Sequence, residues 1–172
     1  MLALIIGGAG SGKSEYAEQL AVRLAKETGG SLIYLATMVS GSREADDRIQ
    51  KHRRNRAGRG FQTIERYVDL SSLQIREPAD PTVLLEDLGN LVGNEMFLPE
   101  GRGQEAVLTG IRHIAEQSAN LIIVGNEVFS DGQIYDEGTQ NYLRELALVQ
   151  RELAEEAGMA VEVVCGCPNS LK

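Results

Sequence analysis

The first residues able to do chemistry are Gly7, Gly12, Lys13 and Ser14, which stand at the spacing of a phosphate-binding loop, with Gly8, Ala9, Gly10 and Ser11 filling the interval. Glycines let successive backbone N–H groups converge on one anion. The helix that begins beyond them adds unpaired N–H groups and its positive dipole end. In that setting Lys13 reaches the β- and γ-phosphates of a nucleotide as a point charge, and the Ser14 hydroxyl becomes a magnesium ligand, because hard cations prefer oxygen. The flanks are those the motif requires. Leu2 to Ile6 are an apolar, strand-like run, and Tyr16, Ala17, Leu20, Ala21 and Leu24 recur at helical spacing. A glycine-rich turn that binds nothing needs neither the lysine nor the serine, so nucleotide binding is the expected property.

Two further groups could serve a held phosphate. Glu86 and Asp87 close the apolar run "TVLL", in the manner of the acidic residue that holds magnesium beside a phosphate loop. Strand alternation sends the two carboxylates to opposite faces, so one of them is expected to face the nucleotide. The second group lies in "SREADDRIQKHRRNRAGRG", residues 42–60, where acidic residues precede a basic cluster along one helix. Charged runs of this kind are commonly solvated faces with spaced ion pairs. His52, however, is one of only two histidines, and Arg48, Arg53 and Arg56 lie within about a turn of it, a setting that steers phosphates toward an imidazole. A neutral imidazole can attack an α-phosphorus and divide one difficult transfer into two easier ones. His113 has no such neighbours and is expected to be structural.

These residues must be positioned by an alternation of apolar runs and helical stretches. Strands are predicted near 2–6, 31–37, 81–86, 120–125 and 160–165, and a minor one over Phe61 to Glu65. Helices are predicted over 13–27, 43–57, 104–118 and 136–157, with a short one near 89–97. That rhythm predicts an α/β, three-layer fold of the phosphate-loop NTPase kind, with a mostly parallel central sheet. "TVLLE" and "LIIVG" are apolar without alternation, as strands covered on both faces are. Ligands of such sheets sit at the carboxyl ends of the strands, which makes Thr37, Glu86, Asp87, Asn126 and Glu127 candidates by position. At 172 residues and 42% hydrophobic content, residues 1–172 fit a single domain. A net charge of −8 argues against a general nucleic-acid binder. No apolar stretch approaches a membrane span, and the first apolar run lacks the length and basic leader of a signal peptide, so a cytoplasmic protein is expected. Cys165 and Cys167, the only cysteines, form neither a zinc-ligand set nor a disulfide framework and are read as reduced thiols.

Taken in order, "GGAGSGKSEYAE", "YLAT" (34–37), "DRIQKHRRNR" (47–56), "FQTIE" (61–65), "LLEDLGNLVGNE" (84–95) and "VGNEVF" (124–129) resemble one family over nearly the whole chain. It is the bifunctional adenosylcobinamide kinase and adenosylcobinamide-phosphate guanylyltransferase family of cobalamin assembly. The resemblance implies an enzyme that phosphorylates adenosylcobinamide and then transfers GMP from GTP to that phosphate, giving adenosylcobinamide-GDP. It implies that His52 becomes guanylylated, that Glu86 rather than Asp87 is the acidic strand end, and that Glu65 joins Thr37 and Arg53 in nucleotide binding. Magnesium, GTP or ATP as substrates, and a homotrimer follow from the same resemblance. The chain departs from the family pattern after "NEV", where "FSDGQIYDEGTQNYL" (129–143) replaces a glycine-rich segment ending in Val-Pro. Two other readings fit the residues alone: a small-molecule kinase without nucleotidyl transfer, and a regulatory module in which phosphate occupancy orders the segment around 42–60.

Overall fold

The computed structural model describes residues 1–76 and 80–172, apart from the side chains of Glu44, Lys51 and Asn55. Its elements run β1 (Leu2–Ile6), α1 (Lys13–Thr28), β2 (Leu32–Ala36), α2 (Arg43–Arg56), β3 (Gln62–Glu65), a 3-10 turn (Leu70–Ser72), β4 (Thr82–Glu86), α3 (Leu88–Phe97), α4 (Gln104–Glu116), β5 (Asn120–Val124), α5 (Glu137–Glu156), β6 (Met159–Val164) and β7 (Cys167–Ser170). The strands form one sheet in the order β3-β2-β4-β5-β1-β6-β7. Every neighbouring pair is parallel except β6 with β7.

Strand alternation divides the core between the two faces. Leu4, Val83, Leu85, Leu121 and Ile123 point to the face covered by α3, α4 and α5, where they meet Leu91, Ile111, Ile114, Val149 and Leu153. Ala3, Ile5, Leu84, Ile122 and Val124 point the other way and meet the small stripe of α1, Ala17, Leu20, Ala21 and Ala25. Both faces of β4 and β5 are therefore dry, which is why their sequences are unbroken apolar runs. Helix α2 belongs to neither cluster. Of its described side chains only Arg56 is buried, and Ala45 and Ile49 are its only aliphatic residues, so α2 rests on the body by polar contacts.

Register sets the position of the site. Glu65, Ala36, Glu86 and Val124 lie in one row across β3, β2, β4 and β5, and Val124 pairs with Ile5 of β1. The loop after β1 and the residues closing the other four strands thus emerge along one edge of the sheet.

After β6 the chain forms a further strand where the sequence predicted none. Cys165 and Gly166 both adopt positive φ, 50° and 79°, and the chain returns as the antiparallel edge strand β7. A two-residue turn with both residues left-handed suits the natural twist of a hairpin. Cysteine is a poor turn signal and Pro168 a poor strand signal, but on an edge strand the proline's missing N–H costs no ladder bond.

Gly110 of α4 packs tightly on the 3-10 turn: a Cβ there would lie 2.7 Å from Leu70 Cβ and 3.3 Å from Leu70 Cα. Gly110→Ala is expected to lower stability by about 1–3 kcal/mol through overpacking, despite alanine's better helix propensity. Urea unfolding checks this, and a midpoint equal to or above that of the wild type would contradict it.

Candidate active site

The phosphate loop spans Gly7 to Ser14 between β1 and α1. Gly10 and Gly12 have φ of 71° and 91°, a conformation that side-chain-bearing residues rarely adopt, and Gly12 is the residue preceding α1. A Cβ on Gly7 would meet Val163 O at 2.6 Å, so the loop's first position has room only for glycine. The loop is steadied from outside as well. Gly166 N–H, in the β6–β7 turn, donates to Ser11 O at 2.8 Å. Lys13 is 8% exposed, and its ammonium donates to Gly8 O at 3.1 Å, arching over the loop. Burial lowers the Lys13 pKa, and the carboxylates of Asp87 and Glu86 oppose that shift.

Glu86 is where the loop meets the rest of the site. Ser14 Oγ donates to Glu86 Oε1 at 2.5 Å, and the Tyr34 hydroxyl of β2 donates to Glu86 Oε2 at 3.0 Å. His52 Nδ1, arriving on α2, stands 3.5 Å from Glu86 Oε1. Glu18 of α1 completes the group: coordinating atoms of Glu18, His52 and Glu86 lie within 4.8 Å of one another. Its carboxylate is 2% exposed and pairs with Arg59 Nη1 at 3.2 Å. Burial raises the Glu18 pKa from an ordinary 4.5 to about 7, Glu86 adds to the shift, and Arg59 and Arg56 oppose it. Arg56 lies over the Tyr34 ring, 3.2 Å from its centroid, while Phe61 meets that ring edge-on.

Glu86 and Asp87 both border the cleft, but their side chains meet different elements: Glu86 turns to Ser14 of α1 and Tyr34 of β2, Asp87 to α3. Asp87 lies beyond the last residue of β4, and its side chain is directed by the N-terminal cap of α3, where Oδ1 accepts Asn90 N–H at 2.6 Å. Burial raises the Asp87 pKa, while the Asn90 and Asn126 hydrogen bonds oppose the shift. A cation beside these two carboxylates would offset that desolvation. The Ser14 hydroxyl and the Glu86 carboxylate meet as oxygen donors of the type magnesium prefers, and Asp87 borders the same cleft.

The cleft has a volume of about 510 Å³ and is bordered by Tyr34, His52, Arg53, Glu65, Glu86 and Asp87. Arg53 and Glu65 pair with each other across it, Nη2 to Oε1 at 2.9 Å, and Tyr67 donates to Glu65 Oε2 at 3.1 Å. Thr37 does not face the cleft: it is fully buried, and its hydroxyl donates to Asp87 O at 2.8 Å. Glu127 holds its own turn through Phe129 N–H and Ser130 Oγ. His113 sits apart, its Nε2 3.0 Å from Leu73 O.

Glu18, Tyr34, Arg59 and Tyr67 are absent from the candidates drawn from the sequence. Glu18 and Tyr34 each left a trace. Glu18 lies one turn beyond Ser14 and interrupts the apolar stripe of α1, and Tyr34 places a hydroxyl inside a buried strand run.

Comparison with known proteins bears on the whole chain. The family described as cobinamide kinase / cobinamide phosphate guanyltransferase matches residues 3–171. The bifunctional adenosylcobalamin biosynthesis protein CobP of Pseudomonas aeruginosa is 30% identical over 173 residues, covering 98% of this chain and 96% of that protein. Among solved structures, the flagellar accessory protein FlaH from Methanocaldococcus jannaschii superposes with a TM-score of 0.52 at 14% identity, covering 99% of this chain and 77% of its own. A KaiC-like protein from Pyrococcus horikoshii gives 0.51 at 16% identity, covering 94% and 69%. These two share the fold.

Because the folded state holds the Glu18 proton more tightly than the unfolded chain does, this carboxyl contributes stability that is complete below about pH 4.5 and lost as pH rises through about 7. Glu18→Gln removes that component. The stability of the variant relative to the wild type is therefore expected to improve from pH 4.5 to pH 8, as measured by urea unfolding across the range. A difference that stays constant with pH would contradict the assignment.

Proposed function

The chain belongs to the cobinamide kinase / cobinamide phosphate guanyltransferase family, and from that premise we propose that it phosphorylates adenosylcobinamide and then transfers GMP from GTP to the new phosphate through a guanylylated His52. The observation that carries this reading is the convergence of Ser14 and His52 on one carboxylate, Glu86, which joins the phosphate cradle to a nucleophile.

For the kinase reaction, the loop's backbone N–H groups and Lys13 bind the β- and γ-phosphates of ATP or GTP, and Lys13 offsets charge on the transferring phosphoryl group. Ser14 and Glu86, with Asp87 beside them, would hold magnesium, which supplies charge neutralisation to the phosphates when bound. Thr37 contributes indirectly, by fixing the backbone at Asp87. For guanylyl transfer, His52 attacks the α-phosphorus and pyrophosphate leaves; an oxygen of adenosylcobinamide phosphate then takes the GMP. Arg53 and Glu65, paired across the cleft, are placed to exchange their mutual bond for contacts with the nucleotide. A cytoplasmic homotrimer is part of the same reading. No helix among the described residues is long and apolar enough to cross a membrane, and exposed Phe97 and Ile134 supply apolar surface for assembly.

Incubation with magnesium, adenosylcobinamide and GTP labelled at the α-phosphate tests both steps. The wild type is expected to acquire acid-labile, base-stable label and to yield adenosylcobinamide-GDP. His52→Asn should lose the label and guanylyl transfer while still binding nucleotide, and normal labelling of that variant would overturn the role of His52. Lys13→Ala should slow phosphoryl transfer about 100- to 1,000-fold with folding intact, and a rate within a few-fold of the wild type would overturn the loop's role. Phosphorylated corrinoid without any protein label would confine the enzyme to the kinase reaction.

A further inference from the structure

The two ring nitrogens of His52 occupy different environments. Nδ1 is out of solvent and has no hydrogen bond of good geometry, yet it stands 3.5 Å from Glu86 Oε1. The side chain as a whole is 21% exposed and borders the cleft, so the exposed part of the ring lies away from Nδ1. A buried ring nitrogen needs a partner, and the carboxylate oxygen facing it can only accept. The competing carboxylate is Glu18, which is already paired with Arg59. Glu86 is itself held from both sides by Ser14 and Tyr34, so its direction toward the ring is fixed by three elements of the fold.

Resting on the reading that His52 accepts the guanylyl group, we infer that Glu86 is a positioning residue for His52: it takes the Nδ1–H bond, fixes the tautomer, and leaves Nε2 as the nitrogen that is guanylylated. The Nε2 lone pair forms the N–P bond, the bond from the α-phosphorus to its bridging oxygen breaks, and pyrophosphate leaves with that electron pair. The ring then carries both phosphorus and the Nδ1 proton and is cationic, and the Glu86 carboxylate beside it stabilises that charge. When an oxygen of the acceptor phosphate attacks, the N–P bond breaks and its electrons return to Nε2, restoring the neutral Nδ1–H ring. Guanylylation of Nδ1 would instead bring a nucleotide into the buried edge between α2 and β4.

The chain's two histidines make ring-nitrogen NMR decisive, with His52→Asn assigning the signals. In the free, ¹⁵N-histidine-labelled protein at pH 8, His52 is expected to be mainly the Nδ1–H tautomer. Glu86→Ala should shift that ratio toward Nε2–H by about tenfold or more, the scale of one hydrogen bond to a charged group, and Glu18→Gln should leave it unchanged. In wild-type protein loaded with GMP, phosphorus–nitrogen coupling should appear at Nε2. A predominantly Nε2–H ring in the free protein, or coupling at Nδ1 in the loaded one, would overturn the inference and leave the guanylyl-histidine standing. Loading that puts no phosphorus on either nitrogen of His52 would overturn the guanylyl-histidine and the Nε2 assignment together, and the free-protein tautomer would still decide whether Glu86 orients the ring.

Discussion

A single carboxylate, Glu86, ties the phosphate loop to the helix that carries His52. It is the last residue of a strand dry on both faces, so the sheet fixes its backbone and the core on either side fixes its height. Its two oxygens accept from Ser14 and Tyr34, one from the start of α1 and one from β2. The remaining direction faces α2. The start of α1 and α2, which share no backbone pairing with β4, are thereby brought to one point, and the cost of burying the carboxylate is offset by the hydrogen bonds it accepts.

That arrangement explains how a helix with almost no apolar surface is placed at an active site. Helix α2 cannot be held by burial, because it has little to bury. It is held instead by His52 at Glu86, Arg53 at Glu65, Arg56 over Tyr34 and, just beyond its end, Arg59 at Glu18. Each contact spends a basic or imidazole group on a residue of the body. Arg53 and Glu65 are exposed enough for water to compete with their pair, whereas Arg56 and Glu18 are buried. The site therefore combines a rigid half, set by the core, with a charged half set by matched pairs, and the cleft lies between them.

The rigid half was legible in the sequence. Apolar runs of strand length, helical periodicity and the complete Gly-Lys-Ser motif carry strong local signals, and the observed elements fall within a residue or two of those expected. β7 was missed because its turn uses a cysteine and its strand a proline. In the site, the loop, Glu86 and His52 could be read, the first two from motif and position and the third from its arginine setting and a family resemblance. Arg59 could not, and Glu18 and Tyr34 left only the trace of a polar group within an apolar stripe or run, since all three roles exist only once α2 is laid over α1 and β2. Thr37 was placed correctly at a strand end, but whether its hydroxyl faces ligand or framework depends on the neighbouring strand.

The central claim is that charge contacts centred on Glu86, rather than apolar packing, hold α2 over the site. Amide hydrogen exchange resolved along the chain measures this directly in the wild type and in Glu86→Ala. Residues 43–56 are expected to lose protection in the variant while α4 and α5, packed on the apolar core, keep theirs. Unchanged protection across 43–56, or an equal loss in all three helices, would contradict the account.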